Sequence, residues 1–137
     1  MNTAMLKKQL RVWFILDLVA DFLTALPLMI IPVAFLKLLG WSVVDPVASR
    51  ICAAALFGIG IESFLGRNSD IKTFIAMLNL KIIWSMTAIV GFIINLMNHT
   101  HGNPPALWAF LIIFILFHAL WLYYRIKLHS VQDEITQ

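Results

Sequence analysis

Residues 106–126 read ALWAFLIIFILFHALWLYYRI, with no aspartate, glutamate, lysine or arginine before Arg125. An apolar run of roughly 20 residues is what an α-helix needs to cross a bilayer core of about 30 Å at 1.5 Å rise per residue. No soluble domain of ordinary composition has a use for it. Three more stretches of similar character precede it, at about 12–31, 46–65 and 71–97. The expected fold is therefore all-α: a polytopic membrane protein, one four-transmembrane-helix bundle with no room for a second domain.

Composition agrees. Of the 137 residues, 61% are hydrophobic and 12% charged, and the mean hydropathy is +0.90; a soluble domain averages about 25% charged residues. The net charge is +3, but the basic residues cluster at segment ends and form no continuous stripe, so the pattern excludes nucleic acid as the partner and favours retention at an anionic lipid surface. The lone Cys52 can form no intrachain disulfide.

Punctuation separates the segments. Lys7, Lys8 and Arg11 precede the first, whose length and two aspartates mark it as a retained helix rather than a cleaved signal. Pro27 removes one of its backbone hydrogen bonds, which Thr24 or a neighbouring helix can compensate, and Pro32 ends it. Residues 33–41, VAFLKLLGW, suit a short helix lying at the membrane interface. GRNSD at 66–70 is a tight basic turn, and HTHGNPP at 99–105 is a helix-ending loop. Seven basic residues (Lys7, Lys8, Arg11, Arg67, Lys72, Arg125, Lys127) lie on the side of both termini, against Lys37 and Arg50 on the other. The positive-inside rule then predicts both termini on the cytoplasmic side of a multi-pass inner-membrane protein.

Ionisable residues inside such helices cost about 2.5–3.5 kcal/mol each near the bilayer centre, so each requires a partner or a purpose. Asp17 and Asp21 are four residues apart on the first helix, with Thr24 in the same sector. On the third, Lys81, Ser85, Ala88, Phe92 and Asn95 share a face, and Asn79 points the opposite way. Counting inward from the basic side puts Asp21, Lys81 and His118 at a common depth of roughly 12–14 Å, with Asp17 and Glu62 nearer that surface. Three acids against one lysine leave a deficit of positive charge. A proton, a charged His118 or a cationic ligand would relieve it. Asp17, Asp21, Glu62, Lys81 and His118 are thus the candidate ligand- or proton-binding residues, the alternatives being that Asp21 and Lys81 form a buried pair that sets helix register or that the layer lines a polar pocket open to the cytoplasm. The second helix carries Arg50, Ala54, Gly58, Glu62 and Gly66 at four-residue spacing, and Ala54, Gly58 and Gly66 are the expected helix-packing positions.

Other chemistries find little support. A single intramembrane histidine does not make a haem site, His99 and His101 in the loop read as ordinary loop polarity, and no zinc, phosphate-loop or serine-nucleophile pattern occurs. No cofactor or metal is expected, and no catalytic residue can be assigned. The tail VQDEITQ reads as solvated.

The run at 35–70, FLKLLGWSVVDPVASRICAAALFGIGIESFLGRNSD, resembles small four-helix prokaryotic membrane proteins of the DoxX-like kind and related families of unknown function, in Leu39, Gly40, Pro46, Arg50, Gly58, Gly60 and Arg67. The resemblance covers about a third of the chain and implies a four-helix fold without an activity. Asp17, Asp21 and Lys81 fall outside it. The favoured function is binding or carrying a small lipophilic or cationic ligand in contact with membrane lipid, in a homo-oligomer. The alternatives are a membrane isomerase acting on a lipid-like substrate, with an acid as proton donor and His118 or another carboxylate as base, and an accessory subunit of a larger complex.

Overall fold

A computed structural model describes the backbone of residues 3–98 and 103–136, and the side chains of 4–98 and 103–130. The chain runs α1 (Thr3–Ile30), α2 (Pro32–Leu38), α3 (Pro46–Leu65), a 3₁₀ turn (Gly66–Asn68), α4 (Ile71–Asn98) and α5 (Pro105–Thr136), with no strand among the described residues. Four of these helices are long and apolar enough to cross a membrane. The fold is an all-α four-helix bundle, and the chain is a multi-pass membrane protein. His99 and His101 lie outside the described residues.

Helix ends follow local chemistry. Pro32 has no N–H to donate and disfavours helical backbone at Ile31, so α1 stops there and α2 starts with the proline in its first turn. Residues 32–38, rather than 33–41, are helical because a Schellman-type end closes α2: Trp41 N–H donates to Leu36 O and Gly40 N–H to Lys37 O, each at 3.0 Å. Gly40 adopts φ +99°, and a Cβ there would lie 3.1 Å from Pro104 Cβ, so glycine is required on two counts. Asp45 caps α3 by accepting from Val47 N at 2.8 Å and Ala48 N at 3.2 Å, and Asp70 does the same for α4 from Thr73 N at 2.9 Å. Pro27 stays within α1. Thr24 Oγ1 donates to Ala20 O, not to the Leu23 carbonyl that Pro27 leaves free.

Two boundaries differ from the sequence reading. α1 begins at Thr3 and α5 continues to Thr136, so both helices run well beyond their apolar stretches. Hydropathy marks the part of a helix that can lie in lipid. It does not mark where backbone hydrogen bonding ends, and the tail at 131–136 continues α5 to Thr136.

α1 packs along α3 and α4 along α5. At the end where α1 begins and α5 ends, here the basic end, the two pairs join through a filled core of Leu6, Leu10 and Phe14 with Phe74, Met77 and Leu78 of α4 and Trp121, Tyr124 and Leu128 of α5. Phe14 meets Phe74 and Trp121 with ring centroids 5.4 and 5.9 Å apart. Toward the far end α1 and α3 pack through a second, smaller cluster of Ala25, Leu28, Ala53 and Leu56, against which Trp84 of α4 leans, while Leu107 and Leu111 of α5 are buried there as well. The pairs separate there and enclose a cavity.

Candidate functional site

Lys81 projects from α4 into the boundary between the filled and open parts of the bundle. Its side chain is 3% exposed, and the ammonium forms an ion pair with Asp17 of α1 and donates to Ser63 Oγ of α3 at 2.7 Å. Ser63 Oγ also lies 3.2 Å from Asp17 Oδ2 and 2.7 Å from Ile59 O. The rings of Phe14 and Trp121 hold their centroids 5.3 and 5.2 Å from Lys81 Nζ, so the ammonium rests on an aromatic floor. Three helices thereby contribute to one ion-pair layer that is shut off from the basic end.

Asp21 lies one helical turn beyond Asp17. Here α1 and α3 come close because Gly60 carries no side chain: a Cβ there would be 3.2 Å from Asp21 Cβ and 3.4 Å from Leu18 Cδ1. Asp21 Oδ2 is buried and has no hydrogen-bond partner among the described residues. The pair expected between Asp21 and Lys81 does not form: Lys81 is committed to Asp17 and Ser63, one turn nearer the basic end, and Asp21 is the surplus acid of the layer. A buried acceptor left unmade costs about 1–3 kcal/mol, and either its own proton or a donor from a ligand would satisfy it.

Both aspartates and Lys81 form the polar end of a cavity of about 780 Å³ between the helix pairs. Beyond them its lining is largely apolar and aromatic: Leu28, Leu36 and Leu56 on the α1–α3 side, Trp84 and Phe92 on α4, Phe110, Phe114 and Phe117 on α5. Trp41 closes the far end against Phe110, with centroids 6.2 Å apart. Lys81, Ser85, Ala88, Phe92 and Asn95 all face this space. Its walls are incomplete, since the lining residues Leu23 and Ile113 are 70% and 46% exposed. A volume in the 300–1,000 Å³ range, mostly apolar with a few convergent polar groups, is typical of a small-molecule site. The sequence reading envisaged a polar pocket open to the cytoplasm. The cavity instead lies on the side of the charged layer away from the basic end, where α1, α4 and α5 converge and their side chains fill the space.

The remaining candidates are placed elsewhere. His118 Nδ1 is 2.8 Å from Ser85 Oγ, whose single proton reaches Ile82 O at 3.2 Å; both contacts are satisfied when the ring donates to the serine. Ser85 lines the cavity and His118 does not. Glu62 is exposed on the outer face of α3, away from the layer, and so are Ala54 and Gly58, around which a Cβ would meet nothing within 4 Å. Gly66 is buried beneath Met77. The four-residue stripe misled because each step advances the helix by about 400°, so five positions drift about 160° around the axis and cannot share one face. Arg50 Nε donates to Met29 O at 3.2 Å, satisfying a carbonyl in the last turn of α1. Asn79 accepts from Arg125 Nε at 2.7 Å on an exposed face.

Sequence reasoning passed over Ser63 and gave Gly60 no part in the site. The available signal was their three-residue spacing on the side of α3 opposite Glu62. No group of three or more metal-ligating side chains converges among the described residues. Comparison with protein-family models, curated proteins and solved structures gives no match.

Proposed function

We propose that this chain binds an amphiphilic molecule within the membrane, seating the molecule's cationic or hydrogen-bond-donating group on Asp21 and its apolar body in the cavity between the helix pairs. One observation carries the reading. The buried Asp21 Oδ2 lacks a partner at the polar end of a cavity of about 780 Å³ that is otherwise apolar. Lys81 and Asp17 neutralise each other, which leaves Asp21 as the group that distinguishes a cationic from a neutral ligand. Trp84 also lines the cavity, and an indole ring is a suitable neighbour for an ammonium group. The excess of basic residues beside α1, the 3₁₀ turn and α5 supports an orientation with that end in the cytoplasm of the inner membrane. The cavity then faces the outer leaflet. Isomerase chemistry is less well supported, because of the two bases it could use His118 is turned to Ser85 and does not line the space, and Asp17 is held in its ion pair with Lys81.

The test uses purified protein in nanodiscs of zwitterionic lipid, titrated with dodecylamine or dodecanol and read by intrinsic tryptophan fluorescence. Saturable binding of the amine is expected, tighter than the alcohol by about tenfold, the equivalent of 1.4 kcal/mol. Asp21→Asn should abolish that preference, and Ala88→Trp, which places a large ring in the cavity, should weaken both ligands. An amine that does not saturate the wild-type protein, or a preference that survives Asp21→Asn, overturns the reading.

A further inference from the structure

Two polar features outside the cavity lie at similar depth on different helices of the bundle. Glu62 is exposed on α3 and has no partner among the described residues. It stands six residues from the end of its span at Asn68, about 9 Å in from the basic end. Asn79 is exposed on α4, eight residues from Ile71, about 12 Å in from the same end. Arg125 of α5 reaches up to it and donates through Nε, which leaves the two terminal nitrogens of the guanidinium available on that face. A carboxylate facing lipid is costly, and so is a guanidinium whose remaining donors have no acceptor. The levels differ by about 3 Å, within the reach of the two side chains.

We infer that a second copy of this chain covers these faces head to tail, with Glu62 of one copy accepting from the Arg125 guanidinium of the next. Charge complementarity at one depth selects this occupant: the acid and the fork-shaped donor meet when two identical molecules lie side by side in the same orientation, as one membrane topology requires. Gly58, on the same outer face as Glu62, presents bare backbone there and lets the neighbouring helix approach. Such a contact is heterologous. It leaves one unpaired Glu62 and one unpaired Arg125 at the ends of any linear array, so a head-to-tail contact, unlike a reciprocal two-fold one, satisfies every copy by closing into a ring. Each ring would hold one cavity per copy, since no cavity-lining residue takes part in the contact.

The test is disulfide crosslinking in membranes, in a Cys52→Ser background. Chains carrying Glu62→Cys and chains carrying Asn79→Cys are co-expressed with different tags and oxidised with copper phenanthroline. Mixed-tag crosslinks are expected from the pair and none from either variant alone. Crosslinks from Glu62→Cys alone would show a two-fold symmetric contact instead, and no mixed crosslink would show that lipid or another protein covers these faces; either result overturns the inference. Native mass spectrometry gives the second measurement. Glu62→Arg should weaken self-association by on the order of tenfold or more, and the exchange Glu62→Arg with Arg125→Glu should restore it. Failure of the exchange, with both variants folded, also overturns it.

Discussion

The two halves of the bundle are built from the same four helices and differ in what fills them. At the basic end Leu10, Phe14, Phe74, Leu78, Trp121 and Leu128 close the space between the helix pairs. Toward the far end Phe92, Phe110 and Phe114 are as large, yet they line a cavity of about 780 Å³. Side-chain bulk therefore does not decide which half is solid. The difference comes from the lines along which the helices meet: α1, α4 and α5 converge at the basic end, while beyond Lys81 α1 follows α3 and α4 follows α5. Since lipid is as apolar as these side chains, helix association in a membrane rests on packing and polar contacts rather than on hydrophobic burial. The Asp17–Lys81–Ser63 layer lies where the two regimes meet and holds the diverging pairs together.

Removing that clasp gives the largest expected effect. Lys81→Met leaves the Asp17 carboxylate, 8% exposed, without its cation and Ser63 without its donor. Breaking a buried pair from one side costs about 3–5 kcal/mol. Asp17→Asn added to Lys81→Met should recover most of this, because no lone charge then remains. Reversible unfolding in mixed detergent micelles measures both variants. A loss below about 1 kcal/mol for Lys81→Met would mean that water reaches the layer, and the contrast between a sealed and an open half would dissolve.

A pair of glycines sharpens the same contrast at smaller scale. Gly60→Ala places a Cβ 3.2 Å from Asp21 Cβ, where two backbones meet, and overpacking of this kind costs about 1–3 kcal/mol. Gly91 lines the cavity and a Cβ there meets nothing within 4 Å, so Gly91→Ala should cost nothing and gain about 0.5–1 kcal/mol from helix propensity. The same unfolding assay compares them. Equal losses at the two positions would show that the cavity closes in the membrane.

How legible was this in the sequence? The apolar runs alone gave four helices, and two boundaries of α3, Pro46 and Leu65, coincide with a proline and the onset of a basic turn. The faces of α1 and α4 were readable because Asp17 with Asp21, and Lys81 with Ser85, Ala88 and Phe92, sit at three- and four-residue spacings over short distances. α3 was not readable. A strict four-residue rule carried from Arg50 to Gly66 accumulates angular drift, so Gly58 and Glu62 turn outward and Gly60 and Ser63 take the inner face. The cavity was out of reach for a different reason. Which helices pair, and where the pairs part, depends on contacts between segments, and hydropathy is nearly the same in the filled and the open halves.

The smallest effect concerns the turn that joins α3 to α4 at the solid end. Asp70 is exposed there, between the spans, and the Thr73 side chain and backbone N–H hold its carboxyl below the usual 3.8, with lesser help from Lys7 and Lys72. A carboxyl whose folded value is depressed stabilises the fold above its unfolded value and loses that contribution as pH falls through the folded one. The N-cap contribution should therefore be constant from pH 8 to 5 and fade only on the acid side of about 3.8. Asp70→Asn keeps an acceptor for Thr73 N–H but has no proton to gain, so wild type and variant should show the same stability difference at pH 7 and pH 5, and that difference should shrink at pH 3. A difference that already changes between pH 7 and 5 would assign the titration to another group. Because the turn lies on the filled side of Lys81, ligand binding in the cavity should leave this pH profile unmoved.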